Sequence, residues 1–329
     1  MRTLVTGGNG FVGRYIVEQL LARGDQVRVV GRSLYPELVA LGVECFRADL
    51  AAQQPLDTAL HGVEVIFHVA AQAGVWGRPG DFFANNVVAT QHVLRAAVRS
   101  GVPRLVYTSS PSVAIGAHNI AGGDERLPYP AHFLAPYPLT KAVAERYVLG
   151  QREIATTAIR PHLIWGPRDP HILPRLVARA RSGRLVRIGD GTNMVDITYV
   201  ENVAAAHLLA ADALGERSAL RGRAYFIGQE QPVNLWGFIG TLLDRLGLPP
   251  IRRSIPLGAA LAAAGLFEAA YTALGLADEP PVTRLTATQM ARSHWFDHSA
   301  AQRDFGYGPQ ITTAEGIERT VAAELIMQN

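Results

Sequence analysis

The chain opens with a short strand-like run, Arg2 to Val5, that passes straight into Thr6-Gly7-Gly8-Asn9-Gly10-Phe11-Val12-Gly13 and then into a helical pattern over 11–23. Three glycines spaced three apart, between a strand and a helix, leave little freedom in how the segment folds. Gly7 permits a tight turn, Gly10 lets backbone approach a ligand, and Gly13 lets the helix pack close on the strand. The helix start, at Phe11 and Val12, then offers unpaired N–H groups and the positive end of its dipole. That combination predicts a pyrophosphate seat, and so a dinucleotide site, at the amino terminus.

The rest of the first half agrees with a layered α/β chain. Apolar, β-branched runs at 3–6, 26–30, 43–46, 63–69, 104–108 and 156–159 alternate with helical patterns, among them 11–23, 82–100 and 137–149. Continuous apolar strands between helices predict a doubly wound parallel sheet covered on both faces, the NAD(P)-binding Rossmann arrangement. Ligands of such sheets sit at the carboxyl ends of the strands. Past Arg160 the pattern becomes irregular, with Pro161, Gly166-Pro167 and Asp169-Pro170. Beyond these come a helix at 172–182, a strand at 195–199, a helix at 203–214 and a strand at 224–227. We read residues 1–165 as the dinucleotide-binding domain. Residues 166–329 form a smaller, mostly helical substrate-binding region, with segments of 186–228 returning to the first domain.

The strand ends carry the chemistry. The second strand closes Val29-Val30-Gly31-Arg32-Ser33, without the carboxylate that would hold the ribose hydroxyls of NAD. The Arg32 fork suits a 2′-phosphate instead, with Ser33 beside it, so NADP(H) is expected over NAD(H). Asp49-Leu50 closes the third strand, within reach of an adenine. His68 reads as a packed strand residue. Val69, Ala70 and Ala71 after it are small enough for backbone to lie against the cofactor. Asn86, on the next helix, could brace the site. Ser110 ends the fifth strand run, and Tyr137 and Lys141 lie one turn apart on the next helix. A free phenol, with a pKa near ~10, holds its proton too tightly for exchange at neutral pH. An ammonium one turn away stabilises the phenolate. Ser110 would hold a substrate carbonyl oxygen, Tyr137 would give it a proton, and Lys141 would also hold the nicotinamide ribose.

These motifs resemble the extended short-chain dehydrogenase/reductase superfamily over essentially the whole chain. Ser110-Pro111-Ser112 stands where nucleotide-sugar dehydratases carry Thr-Asp-Glu. Arg160-Pro161-His162 stands where sugar epimerases commonly carry Tyr-Phe-Asn. The runs Arg160-Pro161-His162-Leu163-Ile164-Trp165-Gly166-Pro167, Tyr107-Thr108-Ser109-Ser110-Pro111-Ser112-Val113 and Asp196-Ile197-Thr198-Tyr199-Val200-Glu201-Asn202-Val203 resemble the 3β-hydroxysteroid dehydrogenase branch. Within it, Arg32-Ser33-Leu34-Tyr35-Pro36-Glu37-Leu38, Ala73-Gly74-Val75-Trp76-Gly77, Glu279-Pro280-Pro281-Val282-Thr283-Arg284 and Arg303-Asp304-Phe305-Gly306-Tyr307 are similar to the bacterial 2-alkyl-3-oxoalkanoate reductases of long-chain olefin synthesis. Ala89 departs from the Gly common in Asn-Val-x-Gly-Thr, a mild change on a helix. The resemblance implies that Pro161 and Leu163 line the nicotinamide pocket, that Trp76 and Ser112 face the substrate, and that the protein is a homodimer through the helices at 82–100 and 137–149.

Composition sets the outer bounds. A net charge of +3, without a block of like charges, gives no reason to expect nucleic acid. The single cysteine, Cys45, excludes an internal disulfide and fits a reducing, cytoplasmic setting. A strand from the second residue leaves no room for a signal peptide, and no metal is expected. The Ala- and Leu-rich stretch 256–277 is interrupted by Gly and Glu268. It reads as a buried helix or a lid over an apolar pocket, with peripheral contact to a lipid surface as the alternative. The expected activity is NADP(H)-dependent reduction of a carbonyl in an apolar molecule, best matched by a 2-alkyl-3-oxoalkanoate giving the 3-hydroxy acid. A 3β-hydroxysteroid or sterol dehydrogenase is the alternative, and a nucleotide-sugar epimerase the second. A mere NADP sensor would have no need of Ser110, Tyr137 and Lys141. Arg175, Arg179 and Arg292 could each meet a carboxylate head, and nothing in the sequence selects one.

Overall fold

In the computed structural model, which describes residues 1–328, the expected alternation closes into one seven-stranded sheet. Its strands are β1 (Arg2–Thr6), β2 (Gln26–Gly31), β3 (Glu44–Arg47), β4 (Val65–His68), β5 (Arg104–Thr108), β6 (Ala155–Pro161) and β7 (Arg223–Ile227). The order is β7-β6-β5-β4-β1-β2-β3, every pair parallel. β4 and all of β6 are fully buried, which explains why these strands read as unbroken apolar or β-branched runs rather than as alternations. The chain reverses its direction of travel across the sheet between β1 and β4. That switch point opens a crevice at the carboxyl ends.

Helix α1 (Phe11–Ala22) covers one face, burying Val12, Tyr15, Ile16, Val17 and Leu20, and packs against α2 (Val200–Ala213). The opposite face carries the helix Ala89–Arg99 and the helix Pro136–Gly150. The helix expected over 82–100 is not regular. A π-turn at Phe83–Val88 precedes Ala89–Arg99. Asn86 lies in this wider turn and is 1 % exposed. Its side chain accepts from Gln72 N at 2.7 Å and donates to Thr140 Oγ1 at 3.0 Å. Asn86 therefore ties the loop after β4 to the helix that bears Tyr137.

Two expectations for the second half are corrected. The strand expected at 195–199 is divided. Met194–Val195 joins a four-stranded sheet with Ile120–Gly123, Val233–Asn234 and His294–Phe296, while Thr198–Tyr199 pairs with Ile164–Trp165. Asp196 causes the break. Its buried carboxylate accepts from Phe296 N at 2.7 Å and contacts His298 Nε2 at 3.0 Å. The stretch 256–277 does not form a buried helix. Leu257–Ala273 buries only Ala260 and Ala264, and Leu266 is 75 % exposed. Ala260 and Ala264 with the half-buried Leu257 and Leu261 form the packed face, next to the helix Arg284–Ala291, while Leu266 and Phe267 remain outside. No helix among the described residues is long and apolar enough to cross a membrane.

Candidate active site

Two connecting cavities lie along the carboxyl ends of the strands, both bordered by Gly7, Ala70 and Ala71. The glycine loop sets their shape. Gly7 has φ +69°, and a Cβ there would lie 2.9 Å from Ala70 backbone. A Cβ on Gly13 would lie 2.1 Å from the Gly7 carbonyl oxygen, so the turn and the helix start are possible only without side chains. Gly10 differs. Within 4 Å its Cβ would meet only the Gly7 oxygen, at 3.2 Å. Its missing side chain spares one tight contact and keeps the cavity open. Gly10 is the N-cap of α1, and no acidic side chain lies in the first turn to compete for an anion.

The first cavity, about 410 Å³, is bordered by Gly31, Arg32, Tyr35, Asp49, Leu50, Asn85 and Ala89. Arg32 is exposed and has no hydrogen-bond or ion-pair partner among the described residues. Asp49 Oδ1 accepts from Ala51 N at 2.9 Å, which shapes the loop after β3. Ser33 is exposed and does not line the cavity. Tyr35 was missed in the sequence; its hydroxyl would lie 2.2 Å from a Cβ on Gly31, so the ring closes over that glycine.

The second cavity, about 450 Å³, brings together Gly7, Gly10, Phe11, Val12, Gly13, Val69, Ala70, Ala71, Ser110, Ser112, Tyr137, Lys141, Pro161 and Leu163. Their convergence has a simple cause, since each follows or closes a parallel strand or opens the helix behind it. Leu163 sits at φ +39°, an uncommon conformation for a branched side chain, in the wall of the cavity. Ser110 caps the short turn Pro111–Val113 by accepting from Ser112 N, and its hydroxyl lies 2.9 Å from that of Ser112. Burial raises the Tyr137 pKa above its ordinary value, and a hydrogen bond with Ser110 draws it partly back.

Lys141 does not pair with Tyr137 here, as the spacing had suggested. A buried ammonium must find acceptors. The nearest strong one is the carbonyl at the end of β5, and Nζ donates to Thr108 O at 2.6 Å while lying 4.2 Å from the centre of the Tyr107 ring. Burial lowers the Lys141 pKa to about 7, with Glu145 opposing that shift. Glu145 itself is committed elsewhere, in a bidentate pair with Arg160 at 2.6 and 2.9 Å. His68 is the packed strand residue expected. It is fully buried between Thr6 Oγ1 (2.7 Å) and Thr90 Oγ1 (2.9 Å), and burial lowers its pKa to about 3.

The remaining wall contains residues that no sequence signal marked as a set: Ala73, Gly74, Val75, His162, Arg175, Leu285 and Gln289. Trp76 lies on the same loop as Ala73–Val75, but its ring turns outward. It packs edge-on to Tyr271, and its indole donates to Leu276 O at 3.3 Å. Asn86 does not line the second cavity and acts as a brace between the loop after β4 and the Tyr137 helix.

Comparison with known proteins places this geometry in a lineage. Residues 4–257 match the 3-beta hydroxysteroid dehydrogenase/isomerase family. A 2-alkyl-3-oxoalkanoate reductase of Stenotrophomonas maltophilia is 43 % identical, with 98 % of this chain and 99 % of that protein aligned. The human sterol-4-alpha-carboxylate 3-dehydrogenase, decarboxylating, is 36 % identical over 97 % of this chain and 87 % of its own length. Among solved structures, MoeE5 in complex with UDP-glucose and NAD superimposes with a TM-score of 0.75 at 26 % identity, covering all of both chains. The chain therefore belongs to the 3-beta hydroxysteroid dehydrogenase/isomerase family, within the extended short-chain dehydrogenases/reductases, and is an oxidoreductase of CH–OH or C=O groups.

Proposed function

We propose that the protein is an NADP(H)-dependent reductase that converts a 2-alkyl-3-oxoalkanoate to the 3-hydroxy acid. The observation that carries this reading is the opening of the glycine cradle and of Ser110, Tyr137 and Lys141 onto one cavity. The cradle suits a nicotinamide dinucleotide. Gly10 leaves room for a pyrophosphate against the start of α1, and the unpaired Arg32 suits a 2′-phosphate better than bare ribose hydroxyls. When bound, the nicotinamide supplies the hydride.

The chain's own groups handle the proton. Ser110 donates a hydrogen bond to the substrate carbonyl oxygen and orients it toward Tyr137. Tyr137, kept protonated by burial, gives its phenolic proton to that oxygen as charge develops there. Lys141 supports the resulting phenolate and holds a ribose hydroxyl. With a pKa of about 7, its positive charge is half present near neutral pH in the free protein, grows as the pH falls and is lost as it rises. The half-exposed Phe83, Leu139 and Tyr147, on the paired helices behind the site, offer an apolar face for a second copy of the chain.

The relative's name and the apolar residues Val75, Leu163, Ile172 and Leu285 in the cavity lining support the substrate class. A sterol acid is the second reading, favoured by the human relative. Both named substrates carry a carboxylate on the carbon next to the one that bears oxygen. The decisive assay follows loss of NADPH absorbance, with NADH alongside, on a 2-alkyl-3-oxoalkanoate and on a 3-oxosteroid. We expect turnover of the fatty acid with NADPH, and a roughly 100- to 10,000-fold fall in kcat for Tyr137→Phe with NADPH binding retained. Turnover of the steroid alone would move the substrate to the sterol class.

A further inference from the structure

We infer that Arg175 is the residue that recognises the substrate carboxylate, and that Glu279 holds its place until substrate arrives. The inference rests on the reading of this cavity as a carbonyl-reducing site and names the group that selects acids for it. Arg175 lines the same cavity as Ser110, Tyr137 and Lys141. The other two candidate arginines do not. Arg179 is exposed and donates to Pro281 O at 2.9 Å, and Arg292 lies outside the lining.

Arg175 already grips a carboxylate. Its two terminal nitrogens meet the two oxygens of Glu279 at 3.1 and 2.7 Å, the forked geometry by which arginine reads a carboxylate plane. The pair is partly exposed, 53 % and 29 %, so solvent screens it and it can exchange. Glu279 itself stands outside the lining, and the carboxylate that does line the cavity, Asp169, cannot compete. Its oxygens accept from the backbone N–H groups of His171, Ile172 and Leu173 at the start of the helix Ile172–Arg181. The cavity thus has two cations. Lys141 is fixed on Thr108 O beside the reacting groups, and Arg175 holds a partner it can give up.

Glu279 belongs to the segment 275–282, which the Arg179–Pro281 and Trp76–Leu276 contacts pin at separate points. A substrate carboxylate that takes the Arg175 fork therefore releases only the middle of this strap. A neutral alcohol or ketone has nothing to offer in exchange for Glu279.

The test measures oxidation of a 2-alkyl-3-hydroxyalkanoic acid and of its methyl ester by NADP. Wild type is compared with Arg175→Gln, Arg175→Lys and Glu279→Gln, each first checked for melting temperature and NADPH affinity. Wild type should prefer the acid. Arg175→Gln should raise KM for the acid roughly tenfold or more and move the ester far less, and Arg175→Lys should recover part of the loss. Glu279→Gln removes the competing charge and should lower KM for the acid alone. Equal use of acid and ester by wild type, or equal losses on both in Arg175→Gln, overturns the inference and leaves the reductase reading standing. Turnover of neither substrate by a wild-type protein that binds NADPH overturns both.

Discussion

Along one side of the two cavities a run of lining residues lies within a few positions of the strands' carboxyl ends: Gly7 after β1, Arg32 after β2, Asp49 after β3, Val69 to Ala71 after β4, Ser110 after β5 and Leu163 after β6. The sheet's parallel pairing places them, and backbone does most of the shaping. The opposite wall comes from Ala73 to Val75, the helix Ile172–Arg181 and the helix Arg284–Ala291, with the strap 275–282 behind Arg175. Side-chain contacts hold the strap over it: Arg175 to Glu279, Arg179 to Pro281, Trp76 to Leu276. A wall set by strand register tolerates little change. A wall held by exposed side-chain contacts can be retuned one residue at a time, which suits a fold whose relatives bear such different substrate names.

The largest effect that separates the walls is expected at the glycines. Gly10→Val should weaken NADPH binding roughly 100-fold or more, because its methyls fill the space next to the start of α1. Its melting temperature should fall far less than that of Gly13→Val, since a Cβ there meets a single atom within 4 Å, the Gly7 oxygen at 3.2 Å. Gly13→Val, with a Cβ driven into the Gly7 carbonyl, should fail to fold. Titration of NADPH by fluorescence, beside thermal melts of both variants, separates the two roles. A Gly10→Val protein that melts far earlier would mean the loop is a fold element throughout.

A smaller effect is expected at Arg32. Its side chain has no partner to lose among the described residues, so Arg32→Ala should leave stability unchanged. Loss of charge-assisted bonds to a 2′-phosphate should cut the NADPH-over-NADH ratio of affinities roughly 10- to 100-fold. Substrate KM should not move, because the change is confined to the strand-end wall. An unaltered ratio would return Arg32 to the status of a solvated surface residue.

The same division decides what could be read from the residues. The strand-end wall was legible because periodicity fixes the strands and parallel pairing then brings their ends together. Once 3–6, 26–30 and 104–108 are strands of one parallel sheet, Gly7, Arg32 and Ser110 must lie along the same edge of it. The Tyr137–Lys141 spacing gave the helix face but not the partner, since the ammonium takes the Thr108 carbonyl. Arg175 was one of three candidate arginines that nothing in the sequence could separate, and Leu285 and Gln289 had no signal, because their meeting depends on tertiary packing between segments over a hundred residues apart. The expectation of a buried helix at 256–277 fails for a related reason. Apolar composition gives the preference of a helix for burial but not whether a neighbour is large enough to cover it.

Trp76 should give the smallest effect and the finest test of whether the walls act independently. Its indole N–H makes one hydrogen bond, to Leu276 O at 3.3 Å, and its ring meets Tyr271 edge-on at 6.2 Å. Trp76→Phe removes the donor and keeps an aromatic edge for Tyr271. One partly exposed hydrogen bond contributes about 0.5–1.5 kcal/mol, so the strap should loosen without detaching. We expect KM for the acid substrate to rise roughly two- to tenfold, with kcat and NADPH affinity unchanged. The ester should show the same rise, because Trp76 holds the strap and not the carboxylate, which sets this variant apart from Arg175→Gln. If NADPH affinity falls as well, the 73–76 loop transmits strap position to Ala70 and Ala71, and the two walls are mechanically one.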